Sequence, residues 1–128
     1  MKDEKTKILD GTYSSRIDTR KQAKHIYGSK AFQQETKAAL LAKAKGHDYF
    51  FPSYFNADEN LQQLVNKYKG TGVIVSRKGS EYPWEDIKMD RIIGQIWDYE
   101  NGKYVGIDIF TIVYSRRGVH IFPKDPTK

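Results

Sequence analysis

Apolar residues recur with two different periods along this 128-residue chain, and the change of period divides it. Leu61, Leu64, Val65 and Tyr68 fall at i, i+3, i+4 and i+7, one face of an α-helix that Asn56 or Asp58 would cap and Gly70 would close. A weaker stripe through Phe32, Ala39, Leu40 and Ala42 or Lys43 predicts a helix over 30–45, with Gly46 just past its end. Residues 15–24 permit a shorter helix, started by Asp18 or Ser14 and stopped by Gly28. Residues 1–13 are polar and aperiodic, which predicts a loose arm or a short turn.

After Gly72 the period becomes two. Residues 73–76 predict a short strand, followed by a polar loop around Gly79 and Pro83. A second strand over 92–98 meets Asn101-Gly102, the pair that favours a type I′ hairpin turn. Residues 104–115 predict one long strand, Arg116-Arg117-Gly118 a turn, and 119–122 a return before Pro123 and Pro126 end the ladder. The expected fold class is α+β. One domain over 1–128 has a loose arm (1–13), a mainly helical part (14–70) and an antiparallel sheet (71–124), with the helices packed on roughly four strands.

Composition narrows the chemistry. Mean hydropathy is −0.73, and no apolar run approaches the roughly 20 residues of a membrane-crossing helix. The first residues lack the apolar core of a signal peptide. Without cysteine there is no disulfide, no thiolate nucleophile and no thiolate metal site. The net charge of +6 is uneven: +6 over residues 1–45, −2 over 46–98 and +2 over 99–128. Basic segments at both ends, brought together by folding, would form a polyanion-binding surface.

The three histidines, His25, His47 and His120, have no compact metal-ligand spacing, so neither a metal nor another cofactor is expected. A magnesium site on Glu85, Asp86 and Asp90 is the weaker alternative, because such a cluster is more often a solvated turn. With Arg116 and Arg117 as the two turn residues, Val113 pairs with His120 and Ser115 with Gly118. Alternation then puts Thr111, Val113, Ser115 and His120 on one face, and Ile112, Tyr114, Val119 and Ile121 on the other. Hydroxyls, an imidazole and two guanidinium groups form a surface able to handle phosphate. Near the other end, Lys21, Lys24 and His25 fall at i, i+3 and i+4. Metal-free RNA cleavage needs two proton-transfer groups and cations around the phosphate, and His25 and His120 are the two histidines in basic settings.

Four blocks carry a resemblance: Lys21-Gln22-x-Lys24-His25-Ile26-x-Gly28, Tyr68-Lys69-Gly70-Thr71-Gly72, Ile92-Ile93-Gly94, and 114–123 with Tyr114-Ser115, Gly118, His120-Ile121 and Pro123. In order and spacing they resemble the bacterial polymorphic toxin type 50 domain, found at the C-termini of toxins and in phage minor head proteins. The resemblance implies the barnase–EndoU–colicin–RelE nuclease fold and ribonuclease activity. It nominates Lys21, Lys24, His25, Ser115, His120 and Thr111 as catalytic; Tyr114, Arg116 and Arg117 of the hairpin are the candidate substrate-binding residues. Residues 30–55 form a longer link than the family's; their aromatics Tyr49, Phe50, Phe51, Tyr54 and Phe55 are assigned to the core, with base stacking as the alternative.

The expected function is therefore a metal-independent endoribonuclease toxin domain that forms a 2′,3′-cyclic phosphate. It would be delivered as the C-terminal part of a larger protein and act in the cytoplasm of a target bacterium. Its expected partners are RNA and an acidic immunity protein docked over Arg116-Arg117, with no membrane. The alternative is a non-catalytic nucleic-acid-binding or phage structural module using the same basic surface.

Overall fold

The computed structural model describes residues 2–127. Its helices are α1 (Glu4–Leu9), α2 (Thr19–Gln22), α3 (Lys30–Ala44) and α4 (Leu61–Tyr68), with a 3₁₀ turn (Ala23–His25) continuing α2. The strands are β1 (Tyr54–Phe55), β2 (Val73–Val75), β3 (Trp84–Lys88), β4 (Gly94–Asp98), β5 (Lys103–Ile107), β6 (Ile109–Ser115) and β7 (Gly118–Pro123). All sheet pairing is antiparallel: a four-stranded sheet ordered β2-β3-β6-β7 and a three-stranded sheet ordered β1-β4-β5. The fold is α+β, but the helices are not all N-terminal to the strands, since β1 precedes α4.

Four expectations are corrected. Residues 4–9 are a helix, not part of a loose arm: Asp3 caps α1 by accepting from the Thr6 N–H, and Ile8 is fully buried in the core. The polar stretch read as loop and turn contains β3, in which Glu85 and Ile87 face the core while Trp84 and Asp86 face the opposite side. The long strand over 104–115 breaks at Asp108. There its carbonyl accepts from the Met89 N–H at 2.7 Å and its carboxylate pairs with Lys88, so β5 and β6 join different sheets. Finally, the loop between β4 and β5 has four residues, not a two-residue turn. Asp98 accepts from the Glu100 and Asn101 N–H groups, and of Asn101 and Gly102 only the glycine has positive φ.

The core lies on one face of the four-stranded sheet, where Phe110, Ile112, Tyr114, Val119 and Ile121 meet Leu64 and Val65 of α4 and Ile8 of α1. Glu85 is buried among them. Its carboxylate accepts from the Gly70 N–H (3.0 Å), the Gly72 N–H (2.8 Å) and the Tyr114 hydroxyl (2.7 Å), tying the exit of α4 to β3 and β6. Burial, followed by this carboxylate, pushes the Tyr114 phenol pKa up.

The outer edge of β7 is closed by the chain's own N-terminal part. The Asp18 N–H donates to the Val119 carbonyl, and the Val119 N–H to the Arg16 carbonyl. Gly118 permits this approach, because a Cβ there would lie 2.3 Å from the Arg16 carbonyl oxygen. The buried Gln22 carboxamide then acts as a surrogate peptide: Nε2 donates to the Ile121 carbonyl at 2.8 Å, and Oε1 accepts the Ile121 N–H at 2.7 Å. Gln22→Leu orphans both backbone groups and should lower unfolding free energy by about 2–4 kcal/mol in denaturant titration. A loss below about 0.5 kcal/mol would show that the carboxamide is not holding this edge.

Candidate active site

The α2–3₁₀ segment ends beside β7 because Gln22 is fixed there, and this decides where the basic residues go. Asp18 caps α2 by accepting from the Arg20 and Lys21 N–H groups. The helix tightens to a 3₁₀ turn at Ala23, so Lys21, Lys24 and His25 leave the strict spacing of one α-helical face. His25, at the end of that turn, lies with its ring centroid 5.7 Å from that of Phe122 in β7. His120 sits two residues earlier in β7, opposite Val113. Alternation places His120 and Phe122 on the sheet face turned away from the core, with Trp84, Asp86, Thr111 and Val113.

The two imidazoles occupy related electrostatic environments. His25 Nδ1 lies 3.0 Å from the Ser53 carbonyl oxygen. The Ser53 hydroxyl oxygen lies 3.1 Å from the same nitrogen, so Nδ1 either donates to the carbonyl or accepts from the hydroxyl, according to the tautomer. Burial pushes the His25 pKa down to about 4 against the contrary effect of that carbonyl, and the charges of Lys24 and His120 push the same way as burial. His120 is also lowered, first by burial and then by Lys24 and Lys21, while Asp18 pulls it back up. Its Nδ1 is buried without a hydrogen-bond partner.

Next to this pair is a cavity of 460 Å³ between the two sheets and the segment before β1. Ser53 and Phe122, which both contact His25, are in its wall. Phe50, Phe51, Trp84 and Trp97 also line it, together with aliphatic residues and the charged Arg77, Asp86, Lys124 and Asp125. Arg77 stacks on Trp84 with its guanidinium carbon 3.8 Å from the ring centroid. Asp86 stands in the wall with one oxygen accepting from the Thr111 hydroxyl (2.8 Å) and the other paired with Lys124.

The register predicted for the β6–β7 hairpin is the one found, with Arg116 and Arg117 exposed in the turn and Ser115 opposite Gly118. Lys21 and Lys24 are exposed, and both act on His120. Three nominated residues are placed elsewhere. Tyr114 is a core residue, 2% exposed and bonded to Glu85, and so offers no surface to a substrate. The Ser115 hydroxyl donates to the Gly118 carbonyl at 2.7 Å, fastening the turn and leaving no proton for a phosphate oxygen. Thr111 is 1% exposed and donates to the Asp86 carboxylate, where an anionic phosphate would be repelled. The core assignment of the five aromatics holds for Phe55 alone. Tyr49, Phe51 and Tyr54 are half-buried, and Phe50 is 59% exposed at the cavity.

Sequence reasoning did not single out Gln22, Ser53 or Lys124 as positioning groups. Gln22 stands inside the first resembling block, flanked by lysines, and a glutamine there was the available signal. Glu85 and Asp86 face opposite sides of β3 and cannot serve as one metal cage. Among the described residues, no three His, Cys, Asp or Glu groups come together as metal ligands, and no helix is long and apolar enough to cross a membrane.

Residues 17–123 match the bacterial toxin 50 family. The match takes in the strap from Ile17, the 3₁₀ turn with His25, and the whole of β7. The chain belongs to the bacterial toxin 50 family. A comparison with curated proteins finds no match.

The histidine environments of this toxin domain set a pH dependence of stability. A histidine whose folded pKa lies below its unfolded value stabilises fully above the unfolded value, about 6.5. That contribution is lost as pH falls from about 6.5 through the lowered folded value, about 4 for His25. Thermal stability should therefore fall as pH drops from 7 to 4.5, and a His25→Gln/His120→Gln double variant should show a visibly shallower decline. Parallel declines in wild type and variant would place the acid sensitivity in other groups.

Proposed function

We propose that this toxin domain is an endoribonuclease that works without a metal, using His25 as general base and His120 as general acid. The observation that carries the reading is the convergence of two depressed histidines from opposite ends of the chain beside Lys21 and Lys24. His25 is in its base form at neutral pH, and in the tautomer that donates Nδ1–H to the Ser53 carbonyl it is Nε2 that takes the 2′-hydroxyl proton. The O2′ then attacks phosphorus and the 5′-oxygen departs, taking a proton from His120. The products are a 2′,3′-cyclic phosphate and a new 5′-hydroxyl end. Bound phosphate raises the pKa of His120 toward the protonated form that an acid requires, as Asp18 already does in part. Lys21 and Lys24 offset the extra negative charge on the pentacoordinate phosphorus, while Arg116 and Arg117 hold neighbouring phosphates.

Such an enzyme would be delivered from a larger protein into the cytoplasm of a target cell. Its producer would need an inhibitor, for which an acidic protein seated over Arg116 and Arg117 is the complementary partner.

Purified protein should cut total RNA in EDTA and leave 5′-hydroxyl ends. Replacing either His25 or His120 with alanine should reduce turnover by about 10²–10⁴-fold without unfolding the protein. Near wild-type turnover in both variants would refute the acid–base assignment. Activity lost in EDTA and restored by magnesium would point to a metal mechanism, and salt-sensitive RNA retention without new ends to a binding module. Association of the acidic inhibitor should slow as salt rises and slow further in an Arg116→Ala/Arg117→Ala variant. Unchanged rates would move the inhibitor to another surface.

A further inference from the structure

We infer that Arg77, stacked on Trp84 in the cavity wall, clamps an RNA phosphate that neighbours the cleaved one, so that the strand crosses the sheet from β7 towards β2. The inference rests on the ribonuclease reading for the identity of the strand and on separate observations for its path. Pairing across the four-stranded sheet puts Val75, Trp84, Val113 and His120 in one row on the face turned from the core. Trp84 and His120 are two strand spacings apart in that row, roughly 10 Å. A phosphate held above Trp84 is therefore not the one His120 meets but another further along the same strand. Arg116 and Arg117 stand at the end of the hairpin, along the strands from His120, whereas Arg77 lies across them.

The Arg77 side chain is held ready for an anion. Its guanidinium carbon is 3.8 Å from the Trp84 ring centroid, and its carbonyl accepts from the Ser80 N–H at 3.0 Å, so ring and turn fix it from both ends. Stacking occupies a face of the guanidinium and leaves the N–H donors along its edge, the geometry that binds phosphate bidentately. Among the described residues Arg77 forms no ion pair, whereas Lys124 in the same wall is joined to Asp86. That carboxylate stands in the next row, with Val73, Thr111 and Phe122, and Asp125 beyond the end of β7 accepts from Thr127. The row of Trp84 and His120 contains no carboxylate, so an anionic strand follows it in preference to its neighbour.

The test is binding of a short single-stranded 2′-deoxy oligonucleotide, which the proposed reaction cannot cleave, over a series of salt concentrations. Trp84 and Trp97 both line the cavity, so tryptophan fluorescence reads the titration. Arg77→Ala should weaken binding about tenfold and lower the slope of log K against log salt by about 0.7, one single-strand phosphate contact. Arg77→Lys keeps the charge but loses the fork and the flat stack. It should retain most of the salt slope while binding severalfold more weakly, and it serves if the alanine variant does not fold. Unchanged affinity and slope in both variants overturns the clamp, as does a wild type that binds no oligonucleotide. RNA cleavage alongside either of those results leaves the nuclease reading standing without it. Weakened binding by Arg77→Ala, in a protein whose wild type cuts no RNA, supports the clamp and removes the nuclease reading instead.

Discussion

The pair of hydrogen bonds between the Gln22 carboxamide and the Ile121 peptide is the interaction on which the site depends. A buried strand edge needs partners for its backbone groups, and in β7 those partners come from the α2 region rather than another strand. The same contact fixes the residues that follow Gln22. Lys24 and His25 are carried to the surface of β7 at the level of His120 and Phe122, from a point 95 residues earlier in the chain for the two histidines. The pinning of an edge and the meeting of the two histidines are one event.

A second constraint separates fold from chemistry. The four-stranded sheet has one face given to the core and the other to the cavity, and the single register of β3, β6 and β7 assigns every residue to one side. Glu85 and Asp86 illustrate the consequence. They are adjacent carboxylates, yet one is a buried anchor for the exit of α4 and the other a wall of the cavity. Burial near the cavity side lowers both histidine pKa values and so favours their neutral forms.

The hairpin register, the body of α4 (though its N-cap is Asn60, not Asn56 or Asp58) and the stops at Gly28, Gly46 and Gly70 were legible in sequence, because local rules decide them. Turn composition, strict periodicity and glycine at positive φ need no knowledge of distant residues. What was not legible depends on tertiary partners. β3 reads as polar loop because two of its five residues are acidic, and only the Gly70 and Gly72 N–H groups and the Tyr114 hydroxyl make a buried Glu85 stable. The helix α1 follows the same logic: a polar segment becomes ordered once Ile8 finds the core. At the proposed site, His25, His120, Lys21 and Lys24 were candidates that sequence could offer, whereas the cavity could not be read from it. It is built from β3, β4, β7 and the aromatics before β1, which share no local pattern. Tyr114, Ser115 and Thr111 show the converse, since chemically suitable groups can already be engaged in holding the fold.

The central claim is that His25 and His120 face one phosphate together. The most direct measurement is an NMR titration of both imidazoles with and without a 2′-deoxy oligonucleotide that cannot be cleaved. The account predicts that both histidines titrate below 6.5 in the free protein and that both pKa values rise when the oligonucleotide binds. A rise in only one of them, or in neither, would mean that the two histidines do not share a phosphate-binding site.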